Sequence, residues 1–229
     1  VEAGQRLYRR SDRWRTADKA LARLAERFPG FGPEETLLKV AAVNALYVTN
    51  VYAIRRTAEH VRSVMLQAGT AVADSGLVGR MAALPKTEAQ RTNRGHYSFG
   101  SKFVHFFVDP ERFPVYGSYA AAMSRYRLGR GGLAGDSRDP YRSFVANFRK
   151  LNTLAGFRMS TRDLDRYLWL AGQYREWIRR PTSATNTSCG AYLGTHPRGC
   201  RRPEAAVRVR TVGMRVGTAR EVKPNRPRG

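Results

Sequence analysis

Cysteine is almost absent: the 229 residues hold two, Cys189 and Cys200, both near the C-terminal end. So few thiols exclude a disulfide-stapled scaffold and fit a reducing cytoplasm, the expected location. Long apolar runs are missing as well. The longest, Leu37 to Ile54, is interrupted by Lys39, Asn44, Thr49 and Asn50, which excludes it as a membrane span, and no membrane partner is expected. The stretch VEAGQRLYRRSDRWR has neither an apolar centre nor a small-residue cleavage site, so no secretory signal is expected there. Acidic residues are the third scarcity, 18 Asp and Glu against 41 Lys and Arg, for a formal charge of +23. A surface this one-sided is expected to meet a polyanion, most simply nucleic acid.

What is present allows a core. Apolar residues make up 42% of the chain and charged ones 26%, a balance that argues against wholesale disorder. The composition changes after Arg180. Residues 181–229 contain ten Lys and Arg, six Gly, five Pro and a single aromatic, Tyr192. Such a segment buries too little to offset the entropy of ordering. The expected division is therefore a helical domain over 1–180 and a basic, low-order tail over 181–229. The tail reads either as an arm that binds nucleic-acid backbone or as sequence out of frame from near Asn186. It carries +8 of the charge and leaves +15 on the body. The trio Cys189, His196 and Cys200 has no recognisable zinc spacing, and no metal is expected.

The body reads as all-α. Leu21, Leu24 and Phe28 recur at helical spacing, and Pro29-Gly30-Phe31-Gly32-Pro33 interrupts them. Pro33 suits the first position of a second helix carrying Leu37, Val40, Ala41 and Leu46. Thr49-Asn50 is the expected cap of a third, with Val51, Ile54, Ala58, Val61 and Met65 inward. A short helix follows around Leu77–Leu84, then a compact aromatic one over Ser98–Phe107 closed by Asp109-Pro110. Further helices are expected over Ser118–Tyr126 and Tyr141–Leu154, separated by a Gly129–Gly135 hinge. The last begins at a Ser160 cap, has Asp163 three residues on, and places Leu164, Tyr167, Leu168, Ala171, Tyr174 and Ile178 on one face. No useful run of strand alternation occurs.

The chemistry-bearing segment runs from Ser98 through Ser101-Lys102 to Pro114-Val115-Tyr116-Gly117-Ser118. It resembles the active-site stretch of the 8-oxoguanine DNA glycosylase-like branch of the helix-hairpin-helix glycosylase superfamily. The run Asp165-x-Tyr167-Leu168-Trp169-x-x-Gly172 is similar to a bacterial helical family of the same kind. The resemblance covers about Leu37 to Arg180. It implies a helical DNA-binding fold, a flipped damaged base, and Lys102 as the nucleophile that displaces the base from its sugar, with Pro114, Tyr116 and Gly117 in the substrate loop. In that branch an Asp following the Pro-Val/Ile-(Tyr) loop assists proton transfer; here Gly117 holds that position. Asp109, two helical turns and about 10 Å beyond Lys102, is the candidate carboxylate left within the segment. The Leu-Pro-Gly-Val-Gly hairpin is reduced to Phe99-Gly100.

An amine attacks only when neutral, so a nucleophilic lysine needs a lowered pKa. Lys102 is expected early in its helix, where the dipole disfavours an ammonium, with Phe99, Phe103 and Phe106 to desolvate it. His105, one turn on, reads as a packing histidine, and His60 and His96 have no partner legible in the sequence. Gly129-Arg130-Gly131-Gly132 lacks the strand and Gly-Lys-Ser/Thr of a phosphate loop, and no cofactor is expected. Basic residues interleave with aromatics in Arg125, Tyr126, Arg127, Arg130 and Arg142, the candidate nucleic-acid contacts, because guanidinium groups grip phosphates and tyrosines stack on bases. Two functions stay open: a base-excision glycosylase acting through Lys102, or a non-enzymatic helical nucleic-acid-binding or interaction protein on the same scaffold.

Overall fold

The computed structural model describes residues 12–69, 76–84, 95–134, 138–154 and 159–179. The described residues are all-helical. Eight α-helices follow one another: α1 Asp12–Arg27, α2 Pro33–Tyr47, α3 Ile54–Ala68, α4 Leu77–Ala82, α5 Tyr97–Phe107, α6 Ser118–Leu128, α7 Pro140–Leu154 and α8 Thr161–Arg179. A single 3-10 turn, Arg130–Gly132, separates α6 from α7. The chain divides into units Val1–Thr195 and His196–Gly229. The second unit, the expected boundary at 180/181 and the trio Cys189, His196 and Cys200 lie outside the described residues.

Local chemistry explains most helix ends. The Pro29–Pro33 break separates α1 from α2, whose first residue is Pro33. There the missing N–H costs nothing and φ is already helical. The Gly32 amide donates to Glu35 Oε2 at 3.0 Å, closing the first turn. The α2 face differs from the expected one. Thr36, Lys39, Val40 and Val43 are buried, whereas Leu37 and Leu46 are each 41% exposed. This helix carries apolar residues around most of its circumference, so spacing alone could not choose the inward side. Packing against α3 and α5 chose it.

The expected Thr49-Asn50 cap does not form. The chain leaves α2 through two left-handed residues, Val48 (φ 47°) and Asn50 (φ 58°), and Asn44 holds the turn. Its Oδ1 accepts from the Val51 amide at 2.9 Å and from Thr49 Oγ1 at 2.8 Å, while Nδ2 donates to Val51 O at 3.0 Å. Val51 is buried ahead of α3, and Ala58, Val61 and Met65 face inward as their spacing predicts.

α5 is the centre of the core. Phe99, Phe103 and Val104 are fully buried with Leu77, Val78 and Met81 of α4. Each such side chain contributes about 1.5–3 kcal/mol relative to exposure. Gly100 permits this approach, since a Cβ there would lie 3.0 Å from Val78 O. His60, from α3, meets Arg80 O at 2.9 Å through Nε2. At the other end, Ser160 Oγ accepts from the Asp163 amide at 3.1 Å and starts α8 as its sequence predicts. Leu164 and Leu168 are buried, but Tyr174 is 38% exposed. The Ile178 side chain lies outside the described residues. α8 comes close to α6 because position 172 is glycine; a Cβ would stand 2.5 Å from Tyr119 O.

Candidate functional site

Lys102 occupies the second turn of α5 and is buried, with only 8% of its surface exposed. Its Nζ donates to Ser98 Oγ at 2.5 Å and to Ser98 O at 3.2 Å, one turn back on the same helix. The Tyr47 ring, at the end of α2, faces the amine with its centroid 5.8 Å from Nζ. Burial pushes the lysine pKa down to about 8, partly offset by the nearby carboxylate of Asp165. The sequence-based expectation of a lowered pKa thus has its cause in desolvation.

Asp165 is the residue that sequence reasoning missed. It sits on the inward face of α8, flanked by buried Leu164 and one turn before buried Leu168. Burial raises its pKa to about 8, against the pull of the Val115 amide and of Lys102. A buried carboxyl and a buried amine thus act on each other electrostatically while each is bonded elsewhere, Asp165 to the Val115 amide and Lys102 to Ser98, and burial pushes both toward neutrality. The missed signal was a lone Asp on an otherwise apolar helical face. Asp109 instead shapes the backbone, since its Oδ1 accepts from the amides of Glu111 and Arg112 at 2.9 and 3.0 Å and caps the turn after α5. Asp165, and not Asp109, is the carboxyl coupled to Lys102.

The expected substrate loop is sewn between α5, α7 and α8. Phe113 O meets His105 Nδ1 at 2.8 Å, and Pro114 O accepts from Tyr141 OH at 3.1 Å. The Val115 amide donates to Asp165 Oδ2 at 2.7 Å, and the Tyr116 amide to Ser101 Oγ at 2.9 Å. Ser101-Lys102 thus works as a unit: the serine fixes the loop, and the lysine presents the amine. His105 is a packing histidine as its place predicts, its pKa lowered by burial to about 4. Tyr116 lies edge-on to Tyr97, Tyr141 and Phe144, giving the loop an aromatic wall. Gly117 is the N-cap of α6 in extended conformation, and a Cβ there would meet nothing within 4 Å.

The basic residues lie apart from this cluster in role. Arg125, Arg127, Arg130 and Arg142 are exposed. Arg127 donates to Tyr167 OH at 2.5 Å, and Tyr126 is covered by the Arg175 guanidinium at 3.8 Å from its centroid. These pairs tie α6 to α8 while leaving positive charge at the surface. Among the described residues no group of three or more His, Cys, Asp or Glu could hold a metal, and no helix is long and apolar enough to cross a membrane.

The family model HI_0787_N, described as an N-terminal domain, matches residues 1–112, just under half of the chain. The match includes Lys102 and ends before the Pro114–Gly117 loop and Asp165. No curated protein and no solved structure matches the chain.

Proposed function

We propose that the protein is a DNA-binding enzyme of the base-excision glycosylase type, resembling the 8-oxoguanine branch of the helix-hairpin-helix superfamily, with Lys102 as its nucleophile. The observation that carries this reading is that Lys102 and Asp165 are both buried next to the Pro114–Gly117 loop, whose Val115 amide donates to Asp165 Oδ2 at 2.7 Å and whose Tyr116 amide donates to Ser101 Oγ at 2.9 Å. In the reaction, the neutral Lys102 amine bonds to the anomeric carbon of a flipped nucleotide. The glycosidic bond breaks, and the base leaves with its electron pair and takes the proton of the neutral Asp165 carboxyl. Asp165, as carboxylate, accepts the proton released from the new ammonium, and ring opening gives a Schiff base. Tyr97 and Tyr116 offer faces for the extruded base, and exposed Arg125, Arg130 and Arg142 offer charge to the backbone.

Borohydride trapping on a duplex containing 8-oxoguanine tests the proposal. A covalent adduct is expected, lost in Lys102→Ala and reduced at least tenfold in Asp165→Asn. No adduct from the wild-type chain, nor from Gly117→Asp, overturns it. The glycine at position 117 favours a second reading, a binder without catalysis, which predicts affinity for undamaged DNA that falls steeply with salt and ignores lesions.

A further inference from the structure

Asp18 lies on α1 and takes no part in the proposed chemistry, yet its side chain is only 11% exposed and fully engaged. Its Oδ1 accepts the Tyr47 hydroxyl in a short hydrogen bond. Its Oδ2 binds Arg166 Nη2 at 2.9 Å and Arg162 Nη2 at 3.1 Å, both on α8. Each oxygen thus holds one wall of the site. The Tyr47 ring, packed on Phe106 at 5.5 Å between centroids, is the one that faces the Lys102 amine. Arg166 directly follows Asp165, so anchoring its guanidinium fixes the turn of α8 that carries the buried carboxyl. A second tie secures the start of this helix, where Thr161 Oγ1 donates to Glu111 O at 2.6 Å and its amide donates to Glu111 Oε2 at 3.0 Å.

We propose that Asp18 is the positioning residue of this site, its two oxygens setting the Tyr47 ring against the Lys102 amine and the α8 turn that brings Asp165 to it. The inference rests on the reading of Lys102 as the reactive amine. A ring face stabilises an ammonium, so the Tyr47 contact opposes the desolvation of Lys102. Beside burial, the groups acting on Lys102 are the Tyr47 ring from α2 and Asp165 from α8; Asp18 and Arg166 act on Asp165, and Asp18 and Arg162 on His105. Tyr141 of α7 acts indirectly, through Asp165.

The test is an NMR titration of the full-length chain with carbon-13 at the lysine Cε, the Lys102 signal being assigned by its loss in Lys102→Met. Asp18→Asn keeps the side-chain shape but removes the charge that holds the arginines. Tyr47→Phe keeps the ring but removes its tether. Both are expected to move the Lys102 midpoint to lower pH by about half a unit or more, about a threefold rise in neutral amine below the midpoint. Asp18→Glu is expected to restore part of the shift. A merely structural role would lower the melting temperature of both variants and leave the midpoint in place. An unmoved midpoint in Tyr47→Phe overturns the proposal, and that variant decides alone should Asp18→Asn not fold. The titration uses no DNA, so its failure is separate from a failure of borohydride trapping.

Discussion

Two lysines among the described residues are buried, and their surroundings differ. Lys39, on α2, is 1% exposed; its Nζ donates to Gly30 O at 2.6 Å and lies over the Phe31 ring at 4.3 Å. Burial lowers its pKa, and Glu35 pulls it back up. Lys102 is bonded to Ser98 and faces a carboxyl that burial has itself pushed up to about 8. Lys39 thus pins a turn with a carbonyl that cannot exchange a proton. The acid that acts on Lys102 is a carboxyl that can. Burial is common to both, and an acid acts on each; the difference is that Glu35 is half-buried whereas Asp165 is buried.

The largest expected effect comes from removing the structural member. Lys39→Ala leaves Gly30 O without its donor and opens a cavity between Phe31 and Phe107, at a cost of about 2–4 kcal/mol by urea unfolding. Lys102→Met is expected to cost about 1 kcal/mol or less, since the side-chain volume is kept and burial alone holds Asp165 protonated. Equal losses at the two positions would erase the contrast.

The pH dependence of stability sharpens it. Asp165 has a folded pKa of about 8 against an ordinary 3.8, so the stability it contributes is complete below 3.8 and is lost as pH rises through about 8. His105, depressed to about 4 from 6.5, acts oppositely, its contribution being lost as pH falls through 4. The two conflict between 4 and 6.5, so the Asp165 effect is isolated between 6.5 and 8. Lys102, depressed from 10.5, contributes stability that is present above 10.5 and lost as pH falls toward 8. The melting temperature is therefore expected to fall from pH 6.5 to 8 and recover above it. Asp165→Asn flattens the first limb, and Lys102→Met reduces the second, to which Lys39, its pKa also lowered, contributes.

The smallest expected effect is at the loop between the two halves of the site. Gly117→Asp places a capping carboxylate at an N-cap with no side-chain cap and free space around the new Cβ. Stability should rise by a few tenths of a kcal/mol, measured as a small gain in melting temperature. A loss would show that the extended backbone at 117 resists a side chain.

The helices themselves were legible in the sequence, because their punctuation is local. Pro33 starts α2, Ser160 with Asp163 starts α8, and the phenylalanines of α5 recur at core spacing. The burial of Lys102 was legible too, through its aromatic neighbours. The inward side of α2 was not, since Leu37 and Leu46 have the same apolar character as Val40 and Val43. Nor could periodicity tell that Asn44, six residues before Asn50, would hold the following turn.

Sequence alone determined the all-α class, the excess of positive charge and the position of one unusual lysine, because composition, caps and helical spacing are properties of neighbouring residues. Tertiary structure decided what that lysine faces. Asp165 lies 63 positions beyond Lys102 and Asp18 lies 84 before it, and no spacing rule connects residues so far apart. Their meeting depends on Gly172 letting α8 approach α6, on Asp18 binding the arginines of α8, and on the Val115 amide reaching the buried carboxyl. The pKa shifts follow from burial in that packing and are opposed by the attraction between Lys102 and Asp165, since desolvation is a property of the packed interior.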